Sequence, residues 1–331
     1  MAWTSTWKFT TRRSTVTTIC KTRFEEGGWA VSLPLRMGEK AMDADRKALV
    51  GPEQWEVVVD GTLAEPQLNH PEGICSDGEG NLWCGGERGE IYRIDLKERR
   101  FEQVGSTNGF ALGMNFDDRG RLYICDSKHR AVFRFTPSSG ELAKISGGSA
   151  NIPMRFPNYP AFDSRRRVLY VSDSYGFGQA GPGIWRIDVE TLETELWCSR
   201  SFDFANGLAL SPDGCSLYVA ESRGERNIYR IPIGNRGEAL EAEILVSVPG
   251  VILDGLVMSS GGRLYATCYE PSRIYRIDTF RPEEGLELVA EDPTAHELCH
   301  PTNGVLVGED LYVCNLGRWH ITRIPLAEVG V

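Results

Sequence analysis

The chain is short of several things at once, and each shortage removes a class of function. Positive charge is outweighed: 36 Lys and Arg against 46 Asp and Glu leave a net charge of −10, without the basic face that a nucleic-acid partner requires. That acidic balance needs no more than solubility to explain it. No apolar run approaches the ~18 residues of a membrane-spanning helix. There is no CxxC pair to hold zinc or do redox work, and no Asn-x-Ser/Thr glycosylation acceptor. The nine cysteines are an odd number, so no disulfide scheme pairs them all. Cys84, Cys125, Cys268 and Cys314 fall in strand-like apolar segments and read as small buried hydrophobes. Together these features predict a reducing, cytoplasmic location.

Acid is missing locally as well. Residues 1–23 carry Lys8, Arg12, Arg13, Lys21 and Arg23 with no Asp or Glu and many Ser and Thr. The composition is that of a transit peptide, without the apolar core of a secretory signal. Residues 1–50 are therefore expected to be an unstructured lead, or the product of a start placed too early with Met42 as the true one, and residues 51–331 the folded domain.

What the chain has is a phrase repeated six times: an apolar strand, a turn, then Leu and an aromatic. The pairs are Leu82-Trp83, Leu122-Tyr123, Leu169-Tyr170, Leu217-Tyr218, Leu264-Tyr265 and Leu311-Tyr312, with aromatics 40, 47, 48, 47 and 47 residues apart. A period of this length made only of strands predicts an all-β, six-bladed β-propeller. The third strand of each copy is especially alike, as in EIYRID, GIWRID, NIYRIP and RIYRID, with the period-2 alternation of a half-buried strand. In the first copy the four strands are read at 73–76, 82–85, 90–95 and 100–104. The sixth copy runs out after three strands, while an orphan strand, WEVVVDG at 55–61, precedes the first. That strand is expected to complete blade 6 and remove an unpaired edge.

About eleven residues before each aromatic stands the residue that opens the copy: Glu72, Leu112, Asn158, Asn206, Asp254 and Asn303. In a propeller, equivalent positions at the start of the innermost strands meet at the axis. Asn206-Gly207, Asp254-Gly255 and Asn303-Gly304 taken singly are hairpin-turn dipeptides. Their common phase, their position ahead of an inner strand, and the presence of Glu72 favour an oxygen-lined pocket for a hard divalent cation. Glu72, Asn206 and Asp254 are ranked as ligands and Asn158 as a fourth ligand or a substrate contact. Asn303, only nine residues from Tyr312, is left as a ligand or a turn.

At these residues the chain resembles the family of senescence marker protein (regucalcin) and gluconolactonase. The motifs are HPEGIC, FPNYPAFD, FANGLALSPDG and LDGLVMSSGGRLYA, and the resemblance spans roughly residues 55–326. It implies a six-bladed propeller holding one divalent metal, often Ca²⁺ or Zn²⁺ with Mg²⁺ or Mn²⁺ also able to fit, and the hydrolysis of lactones. It implies Glu72, Asn158, Asn206 and Asp254 as metal ligands, Asp254 as the acid/base residue and Asn158 as a substrate-facing side chain. One departure stands out. Sugar-lactone members carry Arg two residues before that Asn; here Phe156 stands there, with Arg155 one step further back and Tyr159 just after. Arg155 and Tyr159 are taken as substrate contacts, in a pocket more apolar than a sugar lactone prefers. Paraoxonases are more distantly similar, and strictosidine synthases share the blades without the metal site.

The function expected is thus a metal-dependent hydrolase of lactones or related esters, in which Asp254 helps water attack. The alternative is a metal-stabilised propeller that only binds. The segment His296-Glu297-Leu298-Cys299-His300 matches the zinc-protease pattern, but that pattern needs a helix, and Pro301 directly after it disfavours one. A loop near the mouth is expected instead. Residues 174–183, rich in Gly and aromatics, are read as a lid or a hairpin connection.

Overall fold

The computed structural model describes residues 47–331. The expectations for the basic N-terminal lead and for Met42 lie outside the described residues. Within them the backbone forms six four-stranded antiparallel sheets. Five are simple meanders in chain order, as the period-2 patterning and the turn residues between strands require. The innermost strands are Ile74–Ser76, Ala111–Phe116, Pro157–Asp163, Ala205–Leu210, Ile252–Met258 and Pro301–Val307. Each packs against the inner strands of the blades on either side, and that of blade 6 against that of blade 1, so the ring is closed.

Closure comes from the orphan strand. Glu56–Asp60 pairs antiparallel with His320–Pro325 and forms the outer edge of blade 6. A side-chain pattern shows how closely it imitates an ordinary fourth strand. In blades 1, 3, 4 and 5 the Arg of the third strand faces a Glu on the fourth: Arg93 with Glu102, Arg186 with Glu195 at 2.8 Å, Arg230 with Glu243 at 2.9 Å and Arg276 with Glu287 at 2.8 Å. In blade 6, Arg323 lies opposite Glu56 of the closing strand, 3.6 Å away. Such exposed pairs add little stability, but the repeat places the closing strand in register. Leu49 and Val50, just ahead of the expected boundary at residue 51, also belong to the ring. Their amides bond to the carbonyls of Leu288 and Val289 on blade 5, and Val50 is 1% exposed.

The core lies between neighbouring sheets. The Leu and aromatic of each repeated phrase fill it: Leu82, Leu122, Leu169, Leu217, Leu264 and Leu311 are all completely buried. Cys84, Cys125, Cys268 and Cys314 are equally buried, on second strands, and free. They pack as hydrophobes, as their setting in the sequence suggested.

Candidate active site at the blade heads

The six opening residues do meet, and the glycines after them explain how closely. Five of the six heads are followed by Gly. At four of these glycines a side chain would run into the backbone of the next blade: at Gly73 into Leu112 O at 2.2 Å, at Gly113 into Asn158 O at 2.6 Å, at Gly207 into Leu256 N at 2.5 Å and at Gly255 into Thr302 O at 2.7 Å. None of the four has positive φ. The Asn-Gly and Asp-Gly pairs are therefore not hairpin turns. They are extended strand starts, and Gly is there because inner strands crowd at the axis. Gly207→Ala is expected to cost about 1–3 kcal/mol, read as a lower thermal midpoint, because the obstructing atoms are backbone and cannot swing aside.

Hydroxyls in or just after the second strands staple one blade to the next at this level. Ser174 Oγ donates to Ala205 O at 2.7 Å, Ser222 Oγ to Leu253 O at 2.5 Å, and Thr267 Oγ1 to Thr302 O. Thr302 Oγ1 completes the series, donating to Glu72 O at 2.8 Å. Two of these hydroxyls also orient the heads. Asn158 Nδ2 donates to Ser174 Oγ and Asn206 Nδ2 to Ser222 Oγ, each at 3.0 Å. Asn303 Nδ2 donates to Glu72 O at 3.2 Å.

With the amide nitrogens committed, the oxygens remain. Asn206 Oδ1, Asp254 Oδ1 and Asn303 Oδ1 are buried and have no hydrogen-bond partner. An unsatisfied buried acceptor costs roughly 1–3 kcal/mol, so three at one place are a strong demand for a positively charged occupant. The carboxyls say the same. Burial pushes the Glu72 carboxyl up to about 7. Burial, and after it the Glu72 carboxylate, holds that of Asp254 well above the usual range, with Asn206 beside it acting in the opposite sense. Two carboxyls that repel each other in a buried setting, ringed by amide oxygens, suit a divalent cation with oxygen ligands. Among the described residues no group of three or more His, Cys, Asp or Glu forms a metal cluster, which leaves carboxylate–amide coordination as the chemistry on offer.

The structure therefore gathers Glu72, Asn158, Asn206 and Asp254, and adds Asn303. The sequence left Asn303 undecided because its spacing to the aromatic is short. The cause is a tight turn at Gly308 between Pro301–Val307 and Asp310–Asn315. Counted from the strand start, Asn303 is the third residue of Pro301–Val307, as Asp254 is of Ile252–Met258. Leu112, 4% exposed, makes the blade 2 position apolar.

The two expected substrate contacts are placed differently. Arg155 is exposed, with its guanidinium 5.3 Å from the ring centre of Tyr175. Tyr159 is 5% exposed, and its ring belongs to the core between blades 3 and 4. It lines a cavity of about 250 Å³ with Cys75, Leu208, Leu256 and Gly304, formed along the inner strands below the heads. His296 and His300 are in a loop with no helix. His296 meets Arg318 at 2.9 Å, whereas His300 stacks on Tyr269 with ring centres 4.6 Å apart. They do not form a zinc pair.

A profile described as the SMP-30/gluconolactonase/LRE-like region matches residues 87–313. A gluconolactonase of Zymomonas mobilis is 26% identical over 217 residues, 59% of this chain and 56% of that protein, so the chain spans little more than half of that relative's length. An adipocyte plasma membrane-associated protein of Salmo salar is 24% identical over 81% of this chain and 67% of its own. Among solved structures, a gluconolactonase from Xanthomonas campestris superposes with TM-score 0.67 at 19% identity, covering 82% of this chain and 89% of its own. A calcium-binding regucalcin from Agrobacterium tumefaciens does so with TM-score 0.62 at 15% identity, covering 77% and 89%. At these identities the structural likenesses speak for the fold.

Proposed function

Because this chain belongs to the SMP-30/gluconolactonase/LRE-like family, we propose that it is a metal-dependent hydrolase of lactones or related esters, with its reaction centre at the blade heads. The observation that carries this reading is the set of three unpartnered buried oxygens on Asn206, Asp254 and Asn303 beside Glu72. Glu72, Asn158, Asn206, Asp254 and Asn303 would hold the cation. Two carboxylates and three neutral amides balance a 2+ charge, and Ca²⁺ fits an all-oxygen set best. When bound, the cation supplies Lewis-acid polarisation of the substrate carbonyl.

The chain's own residues do the rest. Asp254, ionised in the cation-loaded protein, takes a proton from the attacking water. The new bond joins that water's oxygen to the carbonyl carbon. The ring C–O bond breaks, and Asp254 returns its proton to the departing alkoxide. Asn158, fixed by Ser174, orients the substrate. The Ser and Thr staples keep the heads from shifting as charge changes. The free thiols of the described residues suit a reducing, cytoplasmic setting as part of the same proposal.

A metal-replete screen of lactones, repeated in excess chelator, tests the proposal; undiminished hydrolysis under chelation would sink it. Thermal stability gives a second reading that does not depend on substrate. The Glu72 carboxyl moves from 4.5 unfolded to about 7 folded. The metal-free fold thus binds more protons than the unfolded chain, and stability is full below pH 4.5 and lost as pH rises toward 7. The shift is worth on the order of 3 kcal/mol, or roughly 5–10 °C in thermal midpoint. The chelated protein is expected to melt lower at pH 8 than at pH 5, and Ca²⁺ to erase that difference. A chelated melting point independent of pH would contradict it.

A further inference from the structure

Two residues ahead of each blade head stands a second ring of side chains. Its members are His70, Phe110, Phe156, Phe204, Ile252 and Pro301. Five of the six cannot donate or accept a side-chain hydrogen bond. Phe156 and Phe204 lie with ring centres 5.9 Å apart, and Phe177, from the residue 174–183 connection, reaches to 5.0 Å from Phe204. His70 sits 5.8 Å from Phe110 and 6.2 Å from Trp319. These aromatics form a collar between solvent and the heads.

Two features mark the collar as built for a ligand. First, its backbone is costly. Two ring members, His70 at 53° and Phe204 at 68°, have φ in the left-handed region, as do Tyr175 at 64°, His300 at 52° and Trp319 at 53° in neighbouring connections, the last in a turn where Arg130 and Arg226 of other blades do the same. All five lie in connections on the face where the heads open. Bulky residues there cost of order 1–3 kcal/mol each and persist where the surroundings over-determine them. Buried acids hold the backbone at and beside some of these positions: Asp173 accepts from Tyr175 N at 3.0 Å and from Phe156 N at 2.7 Å, Asp126 from Phe110 N at 3.1 Å, and Glu221 from the amide of Asp203, next to Phe204, at 2.9 Å. Second, the collar borders an open hollow. It measures about 890 Å³ and is lined by His70, Phe110 and Phe156, with exposed Glu87, Arg88, Asn108 and Lys128 among its polar lining. Phe177 is 74% exposed and Ile252 39%. Arg155 lies over the Tyr175 ring, and Arg223 approaches the Phe177 ring to 5.9 Å.

We infer that this collar selects lactones whose body is aromatic, such as benzo-fused δ-lactones, and rejects polyhydroxylated sugar lactones. The inference rests on the proposed hydrolase reading and names its substrate class. An aryl ring entering past Phe156 and Phe204 gains offset or edge contacts at 4.5–7 Å. A sugar lactone would press several hydroxyls against ring faces, each left without a partner at a cost of roughly 1–3 kcal/mol. His70, whose Nδ1 has no partner in the protein, is the one ring member able to hydrogen-bond a substrate.

The test pairs turnover with direct binding on the full chain loaded with Ca²⁺. Dihydrocoumarin and glucono-δ-lactone are compared as substrates. The lactam 3,4-dihydro-2-quinolinone, which resists hydrolysis, is titrated by tryptophan fluorescence. Dihydrocoumarin is expected to be favoured by at least ~50-fold in kcat/KM, and Phe156→Ser to reduce that ratio and weaken lactam binding by ~10-fold each. Phe177→Ala, at an exposed position, repeats the comparison should Phe156→Ser fail to fold, with a smaller loss expected. Preference for the sugar lactone, or a ratio unchanged in both variants, overturns the inference and leaves the hydrolase intact. Lactam binding that responds to the Phe variants without turnover of either lactone supports the aromatic selectivity while removing the hydrolase reading. Absence of both binding and turnover overturns both.

Discussion

Asp254→Asn is expected to lower kcat/KM for lactone hydrolysis by about 10³-fold, within the range that a positioned acid–base group contributes. The substitution keeps the shape of the side chain and its oxygen, so the inner strands need not move. It removes the charge and the ability to take a proton. Asn158→Ala, by contrast, deletes an orienting amide and is expected to cost about 10–100-fold. The two variants should also separate in stability. In wild type, the Asp254 carboxyl is raised by burial and by the Glu72 carboxylate, so the metal-free fold carries an unfavourable charge. Asp254→Asn relieves it, and the metal-free variant should melt no lower than wild type at pH 8. Loss of activity with an unchanged or raised melting point is the signature of a residue placed for chemistry. Activity within ~10-fold of wild type would remove Asp254 from the mechanism.

Removal of residues 53–61 is expected to abolish the cooperative thermal transition. The strand Glu56–Asp60 covers one edge of His320–Pro325. Its Val58 and Val59 pack with Leu68, Ile74, Tyr312 and Ile321 between blades 6 and 1, and Trp55 packs with Leu311, Ile324 and Leu326 on the other side of the same sheet. Without it, two interfaces of the ring lose apolar cover at once and an unpaired strand edge is exposed to other chains. Aggregation or a broad, non-cooperative melt is the expected reading. A truncated chain that melts within a few degrees of the full-length protein would mean that the ring closes without this strand. Glu56→Ala is the mild control: its pairs with Arg323, at 3.6 Å, and with Arg99, at 2.6 Å, are part-exposed, so their combined loss should change stability by no more than ~1 kcal/mol.

Much of the fold was legible because propeller blades are local. A four-stranded meander is written in about 47 consecutive residues, and its hydrophobic alternation, Leu-aromatic pair and turn residues repeat where the eye can align them. Even closure could be read, from a blade short of one strand and a strand short of a blade. The heads were legible for the same reason, as equal phase in a repeat implies a common place at the axis. Asn303 escaped because phase was counted from the far end of the strand, across a turn that is short in that blade. That the Tyr159 ring packs into the core between blades 3 and 4 was not legible, because contact with a neighbouring blade is not written in a strand's own residues.

By itself, then, the sequence determined the six blades, the closing strand and the identity of the carboxylates and amides at the axis, all of which follow from periodicity along the chain. The tertiary structure decided what those residues do for one another. It turned Asn206 and Asn303 so that their oxygens are left bare, set Glu72 against Asp254, and drew Phe110, Phe156, Phe204 and Phe177 into one collar. Those relations join residues up to 231 positions apart, as Asn303 does with Glu72. They depend on which neighbour each blade meets around the ring, and no repeat carries that information.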